Sequence, residues 1–138
     1  MTTAAREVSV LLADDEPHIR LFLKKAIGTM GWRVIAEAAT GAEAVEQYRK
    51  HRPDVALLDM NMPVMDGQRA LEAIRAEFPD AFVVMLTSVS SADVIEECLE
   101  AGAANYIRKD TNLRELEQEL RQTWLDHLVA QDGAEAPL

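Results

Sequence analysis

Asp14-Asp15, Asp59, Thr87-Ser88 and Lys109 are the residues whose types and spacing could do chemistry, because each stands at or just past the end of a short apolar run. Val8-Ser-Val-Leu-Leu-Ala13 runs into the acidic pair, and Val55-Ala-Leu-Leu58 into Asp59. Ala81-Phe-Val-Val-Met-Leu86 runs into Thr87, and Ala104-Asn-Tyr106-Ile107 ends near Lys109. Short apolar runs bounded by turn residues read as buried strands, and in open α/β sheets the crevice outside the carboxyl ends of the strands is where ligands bind. Carboxylates converging there repel one another unless a cation intervenes, and a hard divalent ion with oxygen ligands is the natural solution. Mg2+ fits, since it takes one or two carboxylates and keeps water positions that a phosphate oxygen can fill. Lys109 adds a compact positive charge and Thr87 a hydroxyl. A carboxylate nucleophile, a metal and a neutralising cation together make a phosphoryl site.

Each residue also has a plainer reading. Asp59 could cap the turn that follows it, and Asp14-Asp15 could be a solvated helix start favoured by the helix dipole. Thr87 could be a β-former at a strand end, Lys109 a surface lysine and Tyr106 an edge-strand aromatic. What favours the chemical reading is their joint occurrence, because four separate strand ends each carry the residue type that the chemistry requires.

The elements that must position these residues follow from periodicity. After Asp14-Asp15-Glu16, Pro17 opens a pattern with Ile19, Phe22, Leu23, Ala26 and Ile27 at helical spacing. Arg33 to Ala38 reads as a second strand. Thr40-Gly-Ala-Glu43 fits a capping box that starts a helix ending near His51, before Pro53. The third strand ends at Asp59, and a third helix runs from about Gln68 to Glu77, stopped by Pro79. Ser90 or Ser91 is expected to cap a fourth helix carrying Val94, Ile95, Cys98 and Leu99. The last helix, capped by Asp110 or Thr111, places Leu113, Leu116, Leu120, Trp124 and Leu128 on one stripe. Five strands alternate with five helices and no two strands are close enough for a hairpin, which predicts a parallel sheet covered on both faces. A dinucleotide-binding variant is disfavoured, because the first strand-to-helix turn is acidic and has no glycine.

At 138 residues the chain has the size of one domain. Its formal net charge of -10 argues against a nucleic-acid surface, where Lys and Arg must neutralise phosphates. No stretch approaches membrane-spanning length, and Met1 to Arg6 lacks the pattern of a signal peptide, so a cytoplasmic location is expected. The lone Cys98 reads as a packing residue. His18, His51 and His127 show no metal-ligand spacing and are expected at the surface. Met60, Met62 and Met65 read as gap-fillers or as part of a contact surface beside the site.

The Asp14-Asp15 pair, the segment Leu57-Leu-Asp59-Met-Asn-Met-Pro63-Val-Met-Asp-Gly67, Thr87-Ser88 and the run Gly102-Ala103…Tyr106…Lys109 resemble the receiver domain of two-component response regulators. The resemblance spans residues 8–130, leaving residues 1–7 and 131–138 as expected flexible ends. It implies a flavodoxin-like, doubly wound (βα)5 three-layer sandwich with strand order 2-1-3-4-5, an order for which a chemotaxis receiver is a standard example. It further implies that Asp59 accepts a phosphoryl group from a sensor histidine kinase or phosphotransfer protein. Asp15 and Asp59 would bind Mg2+ directly, Asp14 would act through water, and the backbone carbonyl of Asn61 would complete the site. Lys109, Thr87 and Ser88 would hold the phosphoryl oxygens. Thr87 and Tyr106 would switch the face made by the fourth helix, fifth strand and fifth helix, so that it binds a downstream protein. One departure is Asp110, which stands where proline commonly follows the lysine and leaves the geometry of that peptide open.

Three functions compete on these residues. The first is a stand-alone phospho-switch, with no direct nucleic-acid or membrane binding by this chain and with the outer face of the last two helices a candidate surface for a phosphorylation-dependent homodimer. The second is the receiver part of a longer helix-turn-helix transcription regulator. The third is a metal-dependent phosphohydrolase, disfavoured because Asn61 stands where such enzymes carry an acid/base aspartate. In the first two the chain is not an enzyme beyond slow self-phosphorylation and self-dephosphorylation.

Overall fold

The structure is a computed structural model that describes residues 7–88 and 92–133. Its elements alternate strictly: β1 (Ser9–Ala13), α1 (Pro17–Thr29), β2 (Arg33–Ala38), α2 (Gly41–His51), β3 (Val55–Asp59), α3 (Gly67–Glu77), β4 (Val83–Thr87), α4 (Ala92–Glu100), β5 (Asn105–Arg108) and α5 (Leu113–Gly133). The five strands form one sheet in the order β2-β1-β3-β4-β5, and every pairing is parallel. The fold is the covered parallel sheet that the alternation predicts, in the flavodoxin-like (βα)5 arrangement that the resemblance implies.

Alternation along each strand builds two cores. Leu11, Ala56, Leu58, Val83 and Met85 point to one face, where they meet Ala44 and Val45 of α2, Leu71 and Ile74 of α3 and Cys98 of α4. Val10, Leu12, Leu57, Val84, Leu86 and Ile107 point to the other face and pack on Leu23 and Ile27 of α1 and Leu116 and Leu120 of α5. β3 and β4 are buried at every position, as unbroken apolar runs in a covered parallel sheet require. The edge strands β2 and β5 keep exposed polar positions.

Several local expectations are met, and others are corrected. Thr40 accepts from the Glu43 amide at 3.0 Å, but the Glu43 carboxylate reaches back to the Ala39 amide, one residue before the cap. The cap of α5 is Asn112, whose side chain accepts from the Glu115 amide at 2.9 Å; Asp110 instead pairs with Arg108 at 2.8 Å. Thr111 is spent in the turn, donating its amide to the Arg108 carbonyl. The Lys109–Asp110 peptide is trans, like every other bond among the described residues. Ser90 and Ser91, the expected caps of α4, lie outside the described residues. The last helix runs three residues past the 130 boundary, to Gly133. His127 is half-buried at the surface, its ring packed at a tilt on Phe82 with centroids 4.5 Å apart and 5.4 Å from Trp124. Met60 and Met62 are buried in the first core, which removes them from any contact surface. Leu113 and Leu128, at the two ends of the apolar stripe, are exposed. No described helix is long and apolar enough to cross a membrane.

Candidate phosphoryl site

The register brings the strand ends together. Ala13 lies beside Leu58, Asp59 beside Leu86 and Leu86 beside Ile107, so residues that close β1, β3, β4 and β5 open onto one edge of the sheet. Asp14 follows β1 and extends its ladder, its amide donating to the Ala38 carbonyl at 3.0 Å. Lys109 does the same for β5, donating to the Thr87 carbonyl at 2.8 Å. Asp14, Asp59 and Thr87 are the buried polar residues among those described, whereas Asp15 and Ser88 are exposed.

The Lys109 ammonium organises the acids. It lies 2.8 Å from Asp14 Oδ2, 3.3 Å from Asp59 Oδ2 and 3.7 Å from Glu16 Oε1. Asp14 Oδ2 has no partner with hydrogen-bond geometry, so its contact with Lys109 is an ion pair off the hydrogen-bond angle. Its other oxygen, Oδ1, accepts from the Glu16 amide at 2.9 Å. Asp59 Oδ1 accepts from the Asn61 amide at 3.3 Å.

Burial and the neighbouring Asp14 charge push the Asp59 carboxyl up to about 6, against the pull of Lys109 and the Asn61 amide. Burial works to lower the Lys109 pKa, but the close contact with Asp14 and the charges of Asp59 and Asp14 outweigh it and leave it raised. One ammonium does not balance this many carboxylates.

Carboxylate oxygens of Asp14, Asp15 and Asp59 lie within 4.8 Å of one another. An all-oxygen donor set, a surplus of negative charge and an Asp14 oxygen without a hydrogen bond fit a small hard divalent cation. Asn61 is exposed at the mouth of the same loop. Tyr106 is half-buried against the first core, and its buried hydroxyl has no partner among the described residues.

The loop after β3 is held by two glycines and a strained turn. The Gly67 amide donates to the Met60 carbonyl at 2.9 Å, and a Cβ at Gly67 would overlap the Asp59 carbonyl oxygen. Gly41, at the start of α2, donates to the Met65 carbonyl at 2.8 Å, and a Cβ there would overlap that oxygen. Between them the Met65 amide donates to the Pro63 carbonyl at 2.7 Å across Val64, whose φ is 70°. A β-branched residue in the left-handed region is strained, and this is the hydrogen bond of a γ-turn.

All the residues predicted for the site stand at or beside this edge, with Tyr106 on the neighbouring α4 side of β5. Two further residues belong to it. Glu16 is a third acid near Lys109. Arg20 donates to the Asp14 backbone carbonyl and to Glu37 at 3.2 Å, tying the β1 turn to β2. The signal for Arg20 was its place four residues after Glu16, which turns it back toward the strand ends.

A family model described as the response regulator receiver domain matches residues 10–121. Chemotaxis protein CheY of Bacillus subtilis (strain 168) is 35% identical over 100 residues, covering 72% of this chain and 83% of that protein. A protein-glutamate methylesterase/protein-glutamine glutaminase of Hahella chejuensis is 44% identical over 104 residues, covering 74% of this chain but 30% of that longer protein. Among solved structures, a CheX-CheY-BeF3-Mg+2 complex from Borrelia burgdorferi superposes with a TM-score of 0.82 at 29% identity, covering 85% of this chain and 89% of that one.

Proposed function

Because this chain belongs to the response regulator receiver family, we propose that Asp59 is its phosphoryl acceptor and that Lys109, Thr87 and Ser88 hold the transferred group. An Asp59 carboxylate oxygen attacks the phosphorus of a phosphohistidine on a sensor kinase or phosphotransfer protein. The P–N bond breaks, its electron pair returns to the imidazole, and an aspartyl phosphate forms. Its pKa of about 6 leaves Asp59 ionised at neutral pH. The observation that carries this reading is the Lys109 ammonium placed between Asp14 and Asp59, at 2.8 and 3.3 Å.

Asp15 and Asp59 are the direct ligands we assign to Mg2+, with Asp14 acting through water and the Asn61 backbone carbonyl completing the set. Bound there, the ion supplies charge neutralisation for the phosphoryl oxygens. Lys109 then exchanges part of its pairing with the acids for a phosphoryl oxygen. Thr87, beside it at the end of β4, turns its hydroxyl to the same group. The space Thr87 leaves favours a rearranged Tyr106, and so a changed α4-β5-α5 face that binds a downstream protein. The receiver unit is assigned to residues 8–130, acts in the cytoplasm and is a switch with at most slow self-phosphorylation and self-dephosphorylation. A CheY matches over most of its own length, while the Hahella relative carries a similar segment within a longer protein.

The test is coupling. Lys109→Ala is expected to accept label from a small phosphodonor with Mg2+ yet lose the phosphorylation-dependent gain in binding to the target. Unchanged coupling in that titration contradicts the role given to Lys109.

A further inference from the structure

The open edge of the sheet carries a charge pattern that says what binds it. In α4, Glu97 faces α3, 3.4 Å from Gln68, and Cys98 points into the core. Helical spacing then turns Ile95 and Leu99 toward β5, with Glu96 and Glu100 exposed along the crest. In α5, Glu117 faces α1, accepting from Thr29 at 3.0 Å, whereas Thr123 faces β5, accepting from the Asn105 amide nitrogen at 2.8 Å. The row at three- and four-residue spacing through Thr123 is Glu115, Glu119 and Asp126, all exposed. Arg114 and Arg121 share the other flank with Glu117, away from this edge.

Between the two acidic rows lies an apolar strip. Leu99 is 46% exposed, and Ile95 and Tyr106 are half-buried. Of the two cations at this end, Arg108 is paired with Asp110 and Lys109 is turned into the acidic site. Glu96, Glu100, Glu115, Glu119 and Asp126 form no ion pair with a described residue. The edge is therefore an apolar strip walled by carboxylates that no described cation neutralises, although Glu115 and Asp126 accept from the side chains of Asn112 and Gln122.

We infer that the partner of this α4-β5-α5 edge is a basic amphipathic segment of another protein, with Lys or Arg flanking the apolar residues that cover Ile95, Leu99 and Tyr106. This rests on the reading of that face as the output surface. A second copy of this chain is disfavoured there, because a two-fold contact sets each surface against itself and would bring the acidic walls of both copies together.

The experiment titrates a labelled synthetic Lys/Leu amphipathic peptide, and its Glu/Leu counterpart, against the full chain loaded with beryllofluoride and Mg2+. The Lys peptide is expected to bind more tightly to the loaded chain, and the Glu peptide not to bind. Glu96→Lys with Glu119→Lys is expected to weaken the Lys peptide roughly tenfold. Glu46→Lys with Glu72→Lys, the same charge change on exposed residues of α2 and α3, is expected to leave it unchanged. An equal loss in both double variants, preference for the Glu peptide, no binding, or a loaded-state dimer that the first double variant abolishes would each overturn the inference. Mg2+-dependent labelling of every variant by a small phosphodonor separates the failures. Labelling without peptide binding removes the inference alone, and no labelling removes the receiver reading and this inference with it.

Discussion

Asp59 works against its surroundings. Its ordinary pKa of 3.8 is pushed up to about 6, with burial as the largest cause and Asp14 next. Between about pH 4 and about pH 6 the folded protein holds this proton more strongly than the unfolded chain does, so stability falls as pH rises through that window and is flat above it. Asp59→Asn lacks the fall. In metal-free urea unfolding its stability advantage is expected to grow from pH 4 to 6 and to reach on the order of 2 kcal/mol at neutral pH. Mg2+ should shrink the gap by stabilising only the carboxylate; curves that stay parallel across the window would contradict the burial argument. Gly67 is the other residue on which the site depends. Gly67→Ala sets a methyl group against the Asp59 carbonyl, and a loss of about 3 kcal/mol in the same unfolding measurement is expected. An unchanged midpoint would show that the loop yields.

At the scale of elements, the loop from β3 to α3 stores strain beside Asp59. Val64 is 85% exposed with φ of 70°, so its side chain contributes little packing to offset its conformation. Val64→Gly is expected to raise stability by about 1 kcal/mol by thermal or urea unfolding, since glycine takes this conformation freely. A lower stability would mean that the loss of unfolded-chain stiffness outweighs the relief. The strands and helices were legible in the sequence because the unbroken apolar runs of β3 and β4 and the helical stripes are strong, and Thr40 with Glu43 announced a cap. The start of α5 was not legible. Asp110, Thr111 and Asn112 are all competent caps, and tertiary detail decides among them: Asp110 pairs with Arg108, Thr111 sits in the turn and Asn112 accepts from Glu115. The close approach behind Gly67 was equally hidden: an Asp-Gly pair announces a turn, not the backbone that passes behind it.

Across the whole molecule, residues far apart in sequence meet because four strand ends share one edge. That convergence was readable from the order of strands and helices, and the register then places Asp59 beside Leu86 and Ala13 beside Leu58. The distribution of charge was not readable from the net value of -10. It took the helix faces to show that α5 carries Glu115, Glu119 and Asp126 on the flank toward the open sheet edge, with Arg114 and Arg121 on the other flank beside Glu117. On the function proposed above, the same topology would separate two tasks, with phosphoryl chemistry at the strand ends and partner recognition along the β5 edge, joined through Thr87, Lys109 and Tyr106.

The claim beneath all of this is that these strand ends act together to place one phosphoryl group on Asp59. The direct measurement is site mapping by mass spectrometry after treatment with a small phosphodonor, with and without Mg2+. A single adduct on the peptide carrying Asp59, dependent on Mg2+ and absent from Asp59→Asn, is the predicted result. An adduct on another residue, or one that persists in Asp59→Asn, would contradict it.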